Sequence, residues 1–168
     1  MTILSSDVRR AEKADAKAVA SVYWQAWQHG YAGIIPHIAL QHMLTRRNSQ
    51  WWLKAIDGPA TLLVLEVDAR VVGYATVGLS RARSLPQEGE IYEIYLLPTY
   101  QGLGYGRRLF REAQRLLASL GCQGVIAWCL EDLDQATGFF AALGGRRQAL
   151  SVERFGEKRL DKVGFAWG

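Results

Sequence analysis

The segment that most constrains this chain runs from residue 90 to residue 110 and reads EIYEIYLLPTYQGLGYGRRLF. Its first eight residues are rich in isoleucine, leucine and tyrosine, which predicts a buried strand over 90–97. Pro98 ends the run, glycines follow at alternate positions (Gly102, Gly104 and Gly106), and a helical pattern begins at once. The segment therefore predicts a strand, a glycine-rich loop and a helix in direct succession.

This arrangement leaves backbone N–H groups free at the start of a helix. About four such groups lack intrahelical partners, and the helix end carries roughly half a positive charge. Glycines let an anion approach the backbone, and Arg107 and Arg108 add charge. The loop lacks the Gly-Lys pair of nucleotide hydrolases, and Arg107 stands where a dinucleotide-binding loop requires its third glycine. We expect a phosphate-bearing ligand; the alternative is a turn whose glycines serve only close packing.

Composition sets the class of protein. The 168 residues are 49% hydrophobic and 21% charged, which predicts one folded domain over 1–168. No segment approaches the ~18 consecutive apolar residues of a membrane span, and the start has no secretory pattern, so we expect a cytoplasmic protein without membrane contact. The net charge is +4, and local clusters of arginine residues suit a small anionic ligand as well as they suit DNA. We therefore do not expect nucleic acid as a partner. The three histidines lack metal-ligand spacing, so no metal is expected.

Hydrophobic periodicity predicts a mixed α+β chain. The helix after the glycine loop is expected to bury Leu109, Ala113, Leu116 and Leu120. The predicted strands are 8–11, 61–67, 70–80, 90–97, 124–130 and a closing hairpin turned at 156–157. The first predicted helix follows Asp15 as its cap, one or two further helices cover 38–56, and the last two span 104–120 and 134–143.

On these residues the chain resembles the GNAT superfamily of N-acetyltransferases. Gln101, Gly104 and Gly106 fill that family's Q/R-x-x-G-x-G/A signature. The stretches VRRAEKADAKAVASVYWQAW, LVLEVDARVVGYATVG and ATGFFAALGG are similar to the family's opening strand and helix, central hairpin and later helix. The resemblance implies the GNAT-type fold: a central, twisted, mostly antiparallel sheet of about seven strands, with a splayed central pair and flanking helices.

The resemblance also implies acetyl-CoA as the cofactor and direct transfer of its acetyl group to a primary amine of a small molecule, amino acid, peptide or protein. The loop would hold the pyrophosphate, and the backbone around Ile94 and Leu96 would pair with the pantetheine arm. The residues expected to contact the cofactor are Ile94, Leu96, Gln101, Gly102, Leu103, Gly104, Tyr105, Gly106, Arg107 and Phe140.

An amine acceptor must lose a proton before it reacts. A lysine-like amine has a pKa near ~10.4, so a carboxylate acting directly or through water is a suitable base. Strand alternation is expected to place Glu90 and Glu93 on opposite faces, with Glu93 remote from the ligand. Glu90 precedes Gln101 by eleven positions, where histone-type members of the family carry their base, so Glu90 is the candidate. The alternative is that Glu90 is a solvent-exposed charge at the end of a strand, without a catalytic role.

Phe140 departs from the family pattern, which often has a tyrosine there to protonate the leaving thiolate. Tyr95 or Tyr105 would have to replace it, or the thiolate leaves unassisted, and Tyr95 is taken as the second catalytic candidate. A coenzyme A-binding regulatory module that has lost catalysis is the rival function. Trp27 and Tyr31 share a helix face and are candidates for the acceptor pocket, with a purely structural role as the alternative. A homodimer, common in the family, is a further expectation.

Overall fold

The computed structural model describes residues 5–168 and contains one seven-stranded sheet with helices on both faces. The strand order is β1-β2-β3-β4-β5-β7-β6, and every neighbouring pair is antiparallel except β4 with β5. The elements are β1 (Ser6–Arg10), α1 (Ala16–Tyr31), α2 (His37–Arg46), α3 (Ser49–Ile56), β2 (Thr61–Val67), β3 (Arg70–Leu79), β4 (Gly89–Leu96), α4 (Tyr105–Ser119), β5 (Val125–Leu130), α5 (Asp134–Ala142), β6 (Arg146–Phe155) and β7 (Lys158–Trp167). This confirms the predicted fold, with boundaries that differ from the sequence prediction by a few residues.

Strands β4 and β5, the one parallel strand pair within residues 5–168, separate soon after they pair. Gly89, Glu90 and Ile91 pair with Val125, Ile126 and Ala127, and the two strands are not paired beyond Ile91 and Ala127. The remaining part of β4, as far as Leu96, continues beside β3 alone. The splayed central pair is therefore present, and the edge of β4 that faces away from β3 is open beyond Ile91.

The helices divide between the two faces of the sheet. Tyr95 and Leu96 are adjacent on β4 and point to opposite sides. Tyr95 packs against Trp27 of α1, with ring centroids 5.8 Å apart. Leu96 points toward α4, where a Cβ on Gly106 would lie 3.6 Å from Leu96 Cδ1. We name the side of α1 and Tyr95 the α1 face, and the side of α4 and Leu96 the α4 face.

A β-bulge in β4 overturns the predicted alternation of its two carboxylates. The register between β3 and β4 shifts so that Glu93 lies opposite Thr76 and Glu90 lies opposite Gly78. Thr76 and Gly78 are two residues apart and share a face, and cross-strand partners point the same way. Glu90 and Glu93 therefore both lie on the α1 face. The prediction of opposite faces was wrong because Tyr92 is an extra residue on β4 without a partner on β3.

The buried face of α4 also differs from the predicted stripe. Leu109 and Ala113 are buried as expected, and Phe110 and Leu117 complete the face. Leu120, expected in the core, is 57% exposed because it follows the last helical residue as the C-cap. At α1, Asp15 precedes the helix as predicted, but its carboxylate accepts hydrogen bonds from Arg9 and from the Glu12 N–H, and it makes no side-chain cap.

Candidate active site

A cleft of about 290 Å³ opens where β4 separates from β5. It is bounded by the open end of β4, the glycine loop, the start of α4, one side of α5 and the end of α1. Of the sequence-predicted site residues, those that line it are Tyr31, Ile94, Tyr95, Leu96, Gln101, Gly102, Gly104, Gly106, Arg107 and Phe140. Leu103, Tyr105, Trp27 and Glu90 are not among its lining residues.

The glycine loop presents unpaired backbone donors to this cleft. Gly102 and Gly104 have φ of 76° and 88°, in the left-handed region that glycine adopts without strain. Gly104 is the N-cap of α4, and no side chain caps that end. Within residues 5–168, the N–H groups from Gly104 to Arg107 have no hydrogen-bond acceptor. Four amide donors and the positive end of the helix dipole form a site suited to an anion.

Gly106 has a different role from the other two loop glycines. Its backbone is helical, and an added Cβ would lie 2.9 Å from Phe139 Cε1. The missing side chain lets the first turn of α4 lie directly against α5. Close packing therefore explains the glycine at position 106. It does not explain Gly102 and Gly104, because nothing lies within 4 Å of a Cβ added at either position.

Gln101 joins three elements at the mouth of the cleft. Its side-chain Nε2 donates to the Leu96 carbonyl at 3.3 Å, and its Oε1 accepts from Gln135 Nε2 on α5. These bonds fix the loop relative to the end of β4. Gln135 was missed by sequence reasoning, since a single exposed glutamine on a helix gives no signal. The other lining residues that the sequence analysis did not name as site residues are Ala26, Gly30, Leu133, Ala136, Phe139, Ala142 and Leu143.

Two tyrosine hydroxyls meet at the α1 end of the cleft. Tyr31 Oη on α1 and Tyr95 Oη on β4 are 2.7 Å apart, a hydrogen bond in which either can donate. Burial raises the pKa of both hydroxyls, that of Tyr95 well above 10. Both therefore remain protonated near neutral pH, and one of the two protons is free to be donated into the cleft. We name Tyr31 and Tyr95 the tyrosine pair.

Trp27 supports the tyrosine pair and does not reach the cleft itself. It is 8% exposed, and its ring centroid lies 5.1 Å from that of Tyr23 and 4.6 Å from that of Tyr31. Its contacts with Tyr31 and Tyr95 fix the direction of both phenol rings. The predicted pair of acceptor residues thus separates into Tyr31 at the cleft and Trp27 in the core behind it.

Glu93 lies two residues before Tyr95 on the same face of β4. Arg47 Nη1 donates to Glu93 Oε1 at 2.6 Å, and the Tyr74 hydroxyl donates to Glu93 Oε2 at 3.1 Å. The Arg47 guanidinium stacks over the Trp51 ring, with its Cζ 4.4 Å from the centroid. Sequence reasoning assigned this carboxylate to the remote face because it placed Glu90 at the site and assumed regular alternation from Glu90 to Glu93, and the bulge at Tyr92 between them leaves no mark in the residue pattern.

Glu90, the sequence candidate for the base, is 2% exposed. Arg81, in the loop between β3 and β4, donates its backbone N–H to Oε1 at 2.9 Å and its Nη2 to Oε2 at 2.7 Å. The Arg81 guanidinium also lies over the Tyr92 ring, 4.3 Å from the centroid. Glu90 is therefore a buried, paired carboxylate that anchors this loop to the sheet, and the reading of it as a solvated strand-end charge was wrong.

Phe140 contributes only its apolar aromatic ring to the lining of the cleft. It is buried among Phe110, Phe165 and Trp167, with centroid separations from 5.7 to 6.3 Å. This position has no proton to donate. Tyr105, the other candidate donor, packs near Tyr100 with centroids 6.0 Å apart and lies outside the cleft lining. Among the described tyrosines, Tyr31 and Tyr95 are the ones that line the cleft.

No helix within residues 5–168 combines the length and apolar character needed to cross a membrane. In the same part of the chain, no group of three or more His, Cys, Asp or Glu side chains is placed to hold a metal ion.

Comparisons with known proteins agree with this geometry. The family model described as the acetyltransferase (GNAT) family matches residues 17–144. The chain is 28% identical to the uncharacterized N-acetyltransferase YuaI of Bacillus subtilis, covering 95% of this chain and 91% of YuaI. It is 29% identical to L-2,4-diaminobutyric acid acetyltransferase of Nocardia farcinica, covering 78% and 68% of the two chains.

Solved structures share the fold. The PaiA N-acetyltransferase of Thermoplasma acidophilum, crystallised with coenzyme A, superposes with a TM-score of 0.76 at 16% identity, over 94% of this chain and 98% of that one. YncA, a putative acetyltransferase of Salmonella typhimurium crystallised with acetyl-CoA, gives 0.68 at 23% identity, over 96% and 92%. Because the family model covers most of the chain and the signature loop borders the cleft, this protein belongs to the GNAT family of acetyltransferases, acyltransferases that use acetyl-CoA.

Proposed function

We propose that this protein transfers an acetyl group from acetyl-CoA directly to a primary amine of a small molecule, amino acid, peptide or protein. The observation that carries the proposal is one cleft with unpaired loop amides at one end and a hydrogen-bonded tyrosine pair at the other. A cofactor that is anchored by its phosphates and reacts at its opposite tip needs a site of this shape.

The residues present fit acetyl-CoA. The amides of Gly104 to Arg107 would hold the pyrophosphate, with the exposed Arg107 side chain adding charge. The open edge of β4 around Ile94 and Leu96 offers backbone groups to the pantetheine arm, as an added strand would. When bound, the cofactor supplies an activated acetyl thioester. Phe140 and Phe139 give this part of the cleft an apolar wall.

The tyrosine pair would return the proton that the departing sulfur needs. Tyr95 is the donor and Tyr31 holds its hydroxyl in place through the 2.7 Å bond. This assignment replaces the tyrosine that the family often has at the position of Phe140. As the acceptor nitrogen bonds to the acetyl carbon and the carbon–sulfur bond breaks, a carboxylate of this chain would take the proton from the nitrogen and the Tyr95 hydroxyl would give a proton to the sulfur. The protonated carboxyl would then pass its proton through water to the Tyr95 oxygen, which restores both groups and balances the charges.

Two carboxylates on the α1 face are available as the base. Glu90 remains the candidate that the family resemblance implies, from its position eleven residues before Gln101, but its carboxylate must leave Arg81 and the interior before it can accept a proton. Glu93 shares the α1 face with Tyr95 but lies outside the cleft lining, and its partners Arg47 and Tyr74 leave other lone pairs free for the bridging water that it would need. The contacts favour Glu93 acting through water.

An amino-acid amine is supported within the acceptor class by the relative whose name specifies L-2,4-diaminobutyric acid. Tyr31 is the acceptor-side residue at the cleft, with Trp27 behind it.

For the expected homodimer we propose that the interface is the outer edge of β6, which ends the sheet order and carries the exposed Leu150 and Val152. Sedimentation of Leu150→Glu beside the unchanged protein tests it; identical masses for the two would remove β6 as the interface.

The rival function is a coenzyme A-binding regulatory module, which Phe140 favours because the usual proton donor is missing. A panel of amines incubated with the protein and acetyl-CoA, with free thiol as the readout, separates the two. We expect amine-dependent thiol release. Tight binding of coenzyme A without release for any amine in the panel would establish the binding module instead.

A further inference from the structure

Trp128 is a half-buried aromatic residue of β5 that lies outside the lining of the cleft. It is the first residue of β5 beyond the part paired with β4. Glu90 is the partner of Ile126, and Trp128, two residues later, points to the same α1 face. Its indole rests on β7 over Gly164, where an added Cβ would lie 3.1 Å from Trp128 Cη2. The missing side chain of Gly164 thus makes room for an indole that stays half-buried, with part of its surface accessible.

An ion pair stands beside this indole. Lys162 Nζ on β7 is 5.6 Å from the Trp128 ring centroid and 3.5 Å from Glu153 Oε1 on β6. The side chains of Lys162 and Glu153 are 25% and 46% exposed. An ion pair of this kind contributes little to stability because solvent screens its charges. Both charges can therefore change partners at small cost.

The β6–β7 hairpin, which carries this ion pair, contacts the segment that follows Tyr31. Lys158 Nζ donates to the Ile34 carbonyl just beyond α1 at 3.2 Å, so the hairpin is tied to the chain that follows Tyr31. The charge of Glu153, together with that of Glu93, adds to the burial that raises the pKa of Tyr31. Glu153 and the tyrosine hydroxyls therefore belong to one electrostatic neighbourhood.

We propose that Trp128, Glu153 and Lys162 form a head-group subsite for a zwitterionic amino acid that carries a second, reacting amine. The acceptor carboxylate pairs with Lys162, the α-ammonium pairs with Glu153, and the side-chain methylenes lie on the indole. The second amine then points toward the tyrosine pair. Two opposite charges side by side match an amino-acid head group, whereas a simple amine would satisfy only one of them. This inference rests on the proposed transferase function and narrows its acceptor.

The test is a matched acceptor panel with the full-length protein. It contains diamino acids with two to four side-chain methylenes, their methyl esters, and the diamines that remain when the carboxyl group is removed. Thiol release gives kcat and KM, and calorimetric titration of each compound into protein saturated with coenzyme A gives binding without turnover. We expect KM to rise about tenfold, equivalent to ~1.4 kcal/mol, when the carboxylate is lost, with kcat changing less than about twofold.

Lys162→Met should remove that difference between acid and ester, and Glu153→Gln should weaken binding of all compounds that carry an α-ammonium. The control is Lys13→Met with Asp57→Asn, another exposed ion pair, 3.4 Å apart, distant in the chain from the hairpin; it should leave the panel unchanged. Equal KM and affinity for acid, ester and diamine would overturn the subsite. Carboxylate-dependent binding without thiol release would keep the subsite and remove the transferase function, and thiol release without carboxylate dependence would do the reverse.

Discussion

The hydroxyl of Tyr31, at the last residue of α1, and the hydroxyl of Tyr95, near the end of β4, are 2.7 Å apart at the α1 end of the cleft. The two residues are separated by 64 positions in the sequence, and only the packing of α1 on β4 joins them. Trp27 contacts both rings and holds them in place. In the proposed reaction this pair would supply the proton that the leaving sulfur takes.

Replacing Tyr95 with Phe should lower kcat by about a hundredfold or more, because a positioned proton donor typically contributes about 10²–10⁴-fold. KM for acetyl-CoA should stay close to that of the unchanged protein, because the backbone of β4 is kept. Tyr31→Phe should have a smaller effect, since it removes only the partner that orients Tyr95. Steady-state kinetics measure both, with Tyr105→Phe as the control outside the cleft. Equal activity of Tyr95→Phe and Tyr105→Phe would eliminate Tyr95 as the donor.

Replacing Gly104 with Ala should weaken coenzyme A binding at least about tenfold, while the protein stays folded. The reason is that a Cβ would stand where the pyrophosphate meets the amides, and that φ of 88° disfavours any other residue. Gly121→Ala is a matched control, because Gly121 also has positive φ (86°) and open space around it but follows α4 at the opposite end.

Calorimetric titration with coenzyme A and thermal unfolding separate the two effects in these glycine variants. Similar losses of stability with loss of affinity confined to Gly104→Ala would support the loop as the phosphate site. Unchanged affinity in Gly104→Ala would show that the free amides serve another purpose.

Glu93→Gln should reduce kcat/KM at least about tenfold near pH 7, and the deficit should shrink as the pH rises toward the pKa of the acceptor amine, near ~10.4. At high pH the free amine is already abundant, so a base contributes less. A pH profile of Glu93→Gln against Glu90→Gln makes the comparison. A deficit confined to Glu90→Gln with the same pH trend would return the base role to Glu90.

The free energy of unfolding should fall as the pH rises above about 10, the ordinary pKa of tyrosine. Burial raises the pKa of Tyr95 and Tyr74 well above that value in the folded state. The unfolded chain therefore loses these protons first, which stabilises it relative to the folded chain. The stabilisation that comes from the raised pKa values of these two tyrosines is fully present below pH ~10 and is lost at higher pH. Urea unfolding from pH 8 to pH 11 measures it, and Tyr95→Phe should show a shallower decline; parallel declines would contradict this.

The sequence was sufficient for the features that depend on local pattern. Alternating and helical hydrophobic spacing located the strands and helices, and the succession of strand, glycines and helix placed the loop at the front of α4. Glycine is needed at Gly102 and Gly104 because of local backbone conformation, so its presence could be interpreted without the fold. The family signature extended this to the fold and the cofactor.

The sequence could not predict which side chains share a face once a strand departs from regular alternation. Glu93 was assigned to the remote face because alternation was assumed to continue through Tyr92, and the bulge there became visible only with the β3 partner in place. The interior position of Glu90 was equally hidden, because Arg81 reaches it from a loop that no periodic pattern describes.

Local pattern thus determined the elements, the glycine loop and the free amide donors, since each depends on residues a few positions apart. Tertiary structure decided how the functional side chains are arranged: the Tyr31 and Tyr95 hydroxyls are in contact, the bulge brings Glu90 and Glu93 to the same face, and Phe140 packs into the core beside the cleft. These arrangements depend on strand register and on packing between segments that are far apart in the sequence. The contacts that stabilise them form only when those segments meet in the folded protein, so no single stretch of the chain contains them.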